Sequence, residues 1–189
     1  MSSPAWFETR DSRTVYEGFS HVRVDTVATP DGQTVDREVV VHTDAVAMVP
    51  VTSAGEVLLL RQYRQTLRGY LLEVPAGKMD VTDEPPQDTA ARELREEIHR
   101  SAGRWRHLTT FHNSAGWTTE RTFVYLAQDL TDVGAPEGFQ PRAEEADMEV
   151  VGVPFDVALE RVHRGELTDA KTVIGLLLSA PYVSGENAV

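Results

Sequence analysis

GKMDVTDEPPQDTAARELREEIHR, Gly77 to Arg100, is the stretch whose reading decides the fold. Pro85 and Pro86 suit a helix start, where a missing amide hydrogen costs nothing, and Asp88 to Ile98 contains no breaker, so the spacing predicts a helix of about three turns. At about 100° per residue, Ala90, Ala91, Leu94 and Ile98 share one side, and Glu93, Glu96 and Glu97 cluster on another. The apolar side faces a core. Three carboxylates at i, i+3 and i+4 repel one another unless a positive group sits among them, and hard oxygen ligands of this kind suit Mg²⁺, with Mn²⁺ as the alternative. Arg92 and Arg95 supply a competing reading, a solvated and salt-bridged helix face, and the helix alone favours it.

The surroundings favour the metal. Immediately upstream, Leu71 to Gly77 reads LLEVPAG, a short apolar strand ending in a glycine turn at the mouth of the acid helix. Gly77, Glu84 and the run Arg92-Glu93-Leu94-Arg95-Glu96-Glu97 together resemble the Nudix box, G-x5-E-x7-R-E-U-x-E-E-x-G-U, where U is aliphatic. The chain departs from that pattern in three ways. Six residues separate Gly77 from Glu84; Asp83 stands at the nominal acid position, but only Glu84 keeps the seven-residue gap to Arg92. His99 replaces the closing glycine and Arg100 the final aliphatic, so the left-handed cap must be made otherwise, with Gly103 as the expected end of the helical region.

Bulk properties bound the rest. With 189 residues, 41% of them hydrophobic, the chain can bury one α/β core. A net charge of −12 argues against nucleic acid or an anionic membrane as partner. No cysteine is present, which excludes disulfides and thiolate chemistry and fits a reducing compartment. The N-terminus carries no apolar signal segment, and the longest apolar run, near Val173 to Leu178, is too short to span a bilayer. A cytoplasmic location is expected.

In chain order, a mobile leader is expected through Arg13. Thr14 to Tyr16 and Phe19 to Val27 read as strands, and Pro30-Asp31-Gly32 turns the chain back along Val35 to Val41 as a hairpin. Ala45 to Val51 and Val57 to Arg61 read as a strand pair about Ser53-Ala54-Gly55. Trp105 to Phe111 and Thr122 to Ala127 are strands joined by a polar, turn-rich connection, a candidate substrate wall. Val133 to Ala146 reads as an acidic loop and Met148 to Pro154 as a strand. Phe155 to His163 is helical and stopped by Gly165, and Thr168-Asp169 can cap a last helix through Leu178. The six histidines have no close metal spacing, and no G-x-S-x-G or G-x-G-x-x-G occurs.

RQYR, LLEVPAGKMD, SAGWTTER, EEADMEV and RGELTDAKTVIGLLL are similar, in the same order, to stretches of ADP-ribose pyrophosphatase-like Nudix hydrolases of actinobacterial type. The resemblance implies an α/β fold, an α/β/α sandwich on a mixed β-sheet with an N-terminal antiparallel β-hairpin. Residues 1–43 would form a dimerisation and substrate-binding extension and 44–189 the Nudix hydrolase domain, in a homodimer whose N-terminal strands reach the partner's site. It further implies Glu93 and Glu97 as main metal ligands, Glu96 sharing the cluster, the Ala76 carbonyl completing the site, and Glu84 with Arg92 bracing the loop behind Gly77. The catalytic carboxylate beside Glu97 would be Glu144 or Glu145; the family's further acid is Ala146 here. Arg64 matches a pyrophosphate-contacting arginine, although a surface arginine on a strand end fits equally.

Phe19 and Arg37 match positions that sandwich adenine in relatives, a geometry that ring stacking and cation–π attraction favour. A core phenylalanine is the other reading of Phe19. Ser114, Gly116 and Glu120 lie in a loop resembling one that contacts the terminal ribose, with Ala115 in place of the usual proline and Trp117 following. The implied activity is metal-dependent hydrolysis of ADP-ribose, or a related nucleoside-diphosphate sugar, to a nucleoside monophosphate and a sugar phosphate. The alternatives are a GDP-mannose or other sugar-nucleotide pyrophosphatase and a Nudix domain that senses a ligand without turnover.

Overall fold

The computed structural model describes residues 7–135, 138 and 146–183. The chain forms two compact units, one of residues 1–44 with 112–121 and one of 45–111 with 122–189.

In the first unit, β1 (Glu8–Glu17), β2 (His21–Ala28) and β3 (Thr34–Val41) form an antiparallel sheet in the order β1-β2-β3. The β2–β3 turn holds Gly32 at φ 81°, a left-handed conformation that glycine adopts without strain. The expected leader is in part strand. Residues 8–13 pair with β2, a pairing that polar ETRDSR does not advertise because it shows no apolar alternation. Phe19 lies between β1 and β2 and is 80% exposed, so the core reading of it fails. The segment 112–121 joins this unit through Val40 N–H to the Trp117 carbonyl (2.9 Å) and Thr119 N–H to the Val40 carbonyl (3.0 Å).

The second unit contains two sheets. β5 (Glu56–Arg64) lies between β10 (Glu149–Pro154) and β6 (Gly69–Glu73), antiparallel to both. The other sheet runs β7-β4-β9-β8, with β7 at Ala76–Lys78, β4 at Ala45–Pro50, β9 at Arg121–Asp132 and β8 at Arg100–His112. It is mixed, since β4 is parallel to β9 and antiparallel to β7. The expected β4–β5 pair does not form. The two strands belong to different sheets, and among the described residues Val51, just past β4, is bridged to Val57.

Side-chain alternation along β4 builds the layers. Ala47 and Val49 face one cluster with Leu59, Leu126, Phe155, Ala158 and Leu176, which draws in helices α2 (Phe155–His163) and α3 (Ala170–Val183). Val46 and Met48 face the other, with Tyr125, Ala90, Leu94 and Ile98 of α1 (Pro86–Ile98). Helices therefore cover opposite faces, as in an α/β/α sandwich. Burial of each large aliphatic here is worth roughly 1.5–3 kcal/mol. Gly175 lets α3 approach β4 closely, because a Cβ there would lie 2.7 Å from Val49 Cγ2.

Helix α1 follows the expected span, with Pro86 in its first turn. Its C-terminus differs from expectation. His99 itself adopts the left-handed conformation (φ 56°, ψ 41°), its amide bonded to the Arg95 carbonyl and its Nδ1 3.1 Å from the same oxygen, while Gly103 lies within β8. A side chain in this conformation costs roughly 1 kcal/mol, which glycine avoids. His99→Gly should therefore stabilise the fold by about 0.5–1 kcal/mol, read as a raised urea midpoint at unchanged slope. An unchanged or lowered midpoint would mean that the imidazole contact outweighs the strain.

Candidate active site

The acid face of α1 meets β7. Glu97 accepts the Ala76 amide hydrogen (2.9 Å), and Glu93 lies against Gly77 so closely that a Cβ at residue 77 would fall 2.0 Å from its carboxyl carbon. A side chain at residue 77 would thus displace the Glu93 carboxylate. The expected glycine turn is a short strand, and Gly77 is absent from the positive-φ glycines. Glu93 and Glu97 are one turn apart, and burial chiefly pushes them up to about 7 and about 8 respectively. Repulsion by Glu93 adds to the shift at Glu97, which the Ala76 amide, Lys171 and Arg64 oppose.

Arg92 organises the same face from the side. Its Nη1 donates to Glu93 (2.7 Å) and Glu96 (3.2 Å), and its Nη2 to Glu84 (3.2 Å) and the Lys78 carbonyl (3.3 Å). Glu84 also accepts the Thr89 hydroxyl (2.8 Å), which with Arg92 holds its carboxyl below the usual range. Asp83 takes the strain of the longer loop, at φ 61° and exposed. Among the described residues, no three acidic or histidine side chains converge as a closed metal cluster. Glu93 and Glu96 turn toward Arg92, and Glu97 toward the Ala76 amide. The donor set nonetheless fits a hard divalent cation, for two recessed carboxylates whose charges burial and mutual repulsion disfavour are stabilised by one.

Beside Glu97 lies a cluster of which sequence reasoning named only Arg64 as a site residue. Glu73, 1% exposed, accepts a bidentate pair from Arg64 (Nε 2.8 Å, Nη2 2.7 Å) and a further bond from Lys171 Nζ. Burial would raise Glu73, but the two cations hold it below the usual carboxylate value. Asp169 accepts from Lys171 (2.8 Å) and from the amide and hydroxyl of Thr172 (2.9 and 2.6 Å), and Thr172 Oγ1 accepts the Val74 amide hydrogen (2.9 Å). A charged residue between Leu72 and Val74 in an otherwise apolar strand was the available signal.

The remaining expected residues belong to the other unit. Phe19 lies 6.2 Å, ring to ring, from His42, and His42 Nδ1 is 3.7 Å from Glu120, so His42 links two positions that the sequence left separate. Arg37 is exposed on β3 and donates to the Asp36 carbonyl (2.9 Å). The Ser114 carbonyl accepts from the amides of Trp117 and Thr118 (both 2.9 Å), and Gly116 is exposed with open space where a Cβ would stand. Glu144 and Glu145 lie outside the described residues.

The family model of the NUDIX domain matches residues 41–173. This chain belongs to the Nudix family. It is 42% identical over 180 residues to an ADP-ribose pyrophosphatase of Mycobacterium tuberculosis, covering 95% of this chain and 86% of that protein. It is 35% identical over 153 residues to an ADP-ribose pyrophosphatase of Bacillus subtilis, covering 81% and 80%. A GDP-mannose pyrophosphatase of Escherichia coli is 32% identical over 129 residues, 65% of each chain. A solved structure described as an ADP compounds hydrolase shares the fold, with a TM-score of 0.83, 21% identity and full coverage of both chains.

Glu93 and Glu97 make this Nudix site sensitive to pH. Above the ordinary value of 4.5 the folded, metal-free chain keeps protons on these groups that the unfolded chain has released, so its stability falls as pH rises toward about 8. The lowered carboxylates, Glu73 and Glu84, act only below that window. In chelator, the thermal midpoint should fall between about pH 5 and about pH 8, and Glu97→Gln should flatten the decline. An equally steep decline in the variant would count against the assignment.

Proposed function

We propose that this Nudix chain hydrolyses the pyrophosphate bond of ADP-ribose, yielding AMP and ribose 5-phosphate. The observation that carries the reading is the recessed Glu93–Glu97 pair, aligned one turn apart on α1 against the backbone of Ala76 and Gly77. The choice of substrate draws on the two ADP-ribose pyrophosphatase relatives, each covered over most of its length. The more distant GDP-mannose pyrophosphatase supports a second reading, a different sugar nucleotide as substrate.

Glu93, Glu96, Glu97 and the Ala76 carbonyl would hold Mg²⁺, or Mn²⁺ in its place. The bound ion would neutralise charge on the diphosphate and lower the pKa of a coordinated water. The chain's own groups set the geometry around it. The Ala76 amide fixes one Glu97 oxygen, while Arg92 keeps Glu93 and Glu96 splayed on one face and ties both to Glu84 and the β7 backbone. Glu144 or Glu145 would orient or deprotonate the attacking water. Arg64 would contact a phosphoryl oxygen; Phe19 and Arg37 would take the adenine, and Ser114, Gly116 and Glu120 the terminal ribose.

The chain would act as a cytoplasmic homodimer, its residues 1–43 serving as an extension of the catalytic domain. In support, all ten residues of β1 are exposed, so the outer strand of this sheet is uncovered by the rest of the described chain. No helix among the described residues is long and apolar enough to cross a membrane.

Product analysis by ³¹P NMR decides the substrate. Metal-dependent AMP and ribose 5-phosphate should form fastest from ADP-ribose, more slowly from GDP-mannose and not in chelator. Glu97→Gln should lower turnover by about 10²–10³-fold, the range seen when a group stabilising transition-state charge is removed. Saturable binding with no product from any sugar nucleotide would overturn the enzymatic reading in favour of a sensor.

A further inference from the structure

We propose that Lys171 is a positioning residue for the substrate diphosphate: from the first turn of α3 it shares the buried Glu73 carboxylate with Arg64, leaving Arg64 Nη1 as an oriented, charged donor. The inference rests on the reading of Arg64 as a phosphate contact.

The geometry of the cluster carries it. Glu73 is 1% exposed, and Arg64 uses Nε on one of its oxygens and Nη2 on the other. That fork fixes the guanidinium plane, because both bonds are charge-assisted and short. Nη1 has no hydrogen-bond partner among the described residues, and the Arg64 side chain is 39% exposed, so the accessible part of the cluster is cationic. Arg64 and Glu73 alone would form a neutral pair, a weak receptor for an anion.

Lys171 changes how the Glu73 charge is shared. Its ammonium sits on the Oε2 atom that Arg64 Nη2 also uses, so two cations share one buried carboxylate. Its other partner, Asp169, directs its second oxygen to the Thr172 amide at the start of α3, where the helix dipole disperses negative charge. The four groups together are neutral, so Lys171 acts by offsetting part of the Glu73 charge that Arg64 would otherwise offset alone, and Arg64 is the most exposed of the four. Arg64 and Lys171 both act electrostatically on Glu97, which places the cluster beside the acid face of α1. Thr172 accepts the Val74 amide hydrogen next to Glu73, so the same helical turn that carries Lys171 also fixes the strand leading to Ala76.

A double-mutant cycle tests the inference. The probe is methylenediphosphonate, an uncleavable diphosphate, with binding followed by calorimetry without added metal and with Mg²⁺. Turnover of ADP-ribose is measured in parallel. Lys171→Met keeps the stem and loses the charge, and it should weaken diphosphate binding roughly tenfold at an unchanged far-ultraviolet spectrum. In turnover, KM should rise by a similar factor while kcat changes less than about threefold. Lys171→Arg, which keeps the charge, should restore most of the loss. In an Arg64→Ala background, Lys171→Met should have no further effect.

Additive losses, full binding by Lys171→Met, or no binding of the diphosphate by the unmodified chain would each overturn the proposal. If diphosphate binding shows the coupling but ADP-ribose is not cleaved, the role of Lys171 stands and the assigned substrate is wrong.

Discussion

The Glu93 carboxylate can lie against strand β7 as it does because residue 77 has no side chain. A methyl group there would occupy the space of the Glu93 carboxyl, and the next residue back, Ala76, directs its amide hydrogen at Glu97. This one close approach turns a row of acids, which on a free helix would be solvated, into a recessed pair whose charge is disfavoured. The rest of the unit holds that approach in place. Met48 of β4 donates its amide hydrogen to the Pro75 carbonyl (2.9 Å), and Leu94 and Ile98 fix the opposite side of α1 in the core.

Arg92 and the Glu73 cluster solve the same electrostatic problem from two directions. Arg92 lies on the outer side of the acids and binds Glu84, Glu93 and Glu96 together, so the loop with the extra residue remains tied to the helix. Glu73 lies on the inner side, compensated by Arg64 and Lys171, and burying it without them would cost several kcal/mol. The site is therefore built from two segments nearly a hundred residues apart, α3 included, although Glu93, Glu96 and Glu97 all come from one helix.

Much of this was legible in the sequence. The span of α1 and most of its buried side, Ala90, Leu94 and Ile98 but not Ala91, followed from period, while the pairing of Glu84 rather than Asp83 with Arg92 followed from the resemblance to the Nudix box. What escaped depends on distant partners or on a conformation with no single-residue signal. Two apolar runs about a Ser-Ala-Gly turn read as a hairpin, yet β4 and β5 are claimed by β9 and β10 on separate sheets. Residues 8–13 look like a leader because the strand is exposed throughout and needs no apolar alternation. His99 adopts a backbone geometry expected of glycine, and Glu73 finds Lys171 ninety-eight positions away.

The most direct measurement is proton release on Mg²⁺ binding near pH 7, by calorimetry in buffers of different ionisation enthalpy. If Glu93 and Glu97 hold protons in the metal-free chain and give them up to the ion, binding should release about one proton per chain. The release should diminish above about pH 8.5 and fall to about half a proton or less in Glu97→Gln, where only Glu93 is left to give one up. Binding with no proton release, or release unaltered by that substitution, would contradict the assignment of the recessed pair as the metal site.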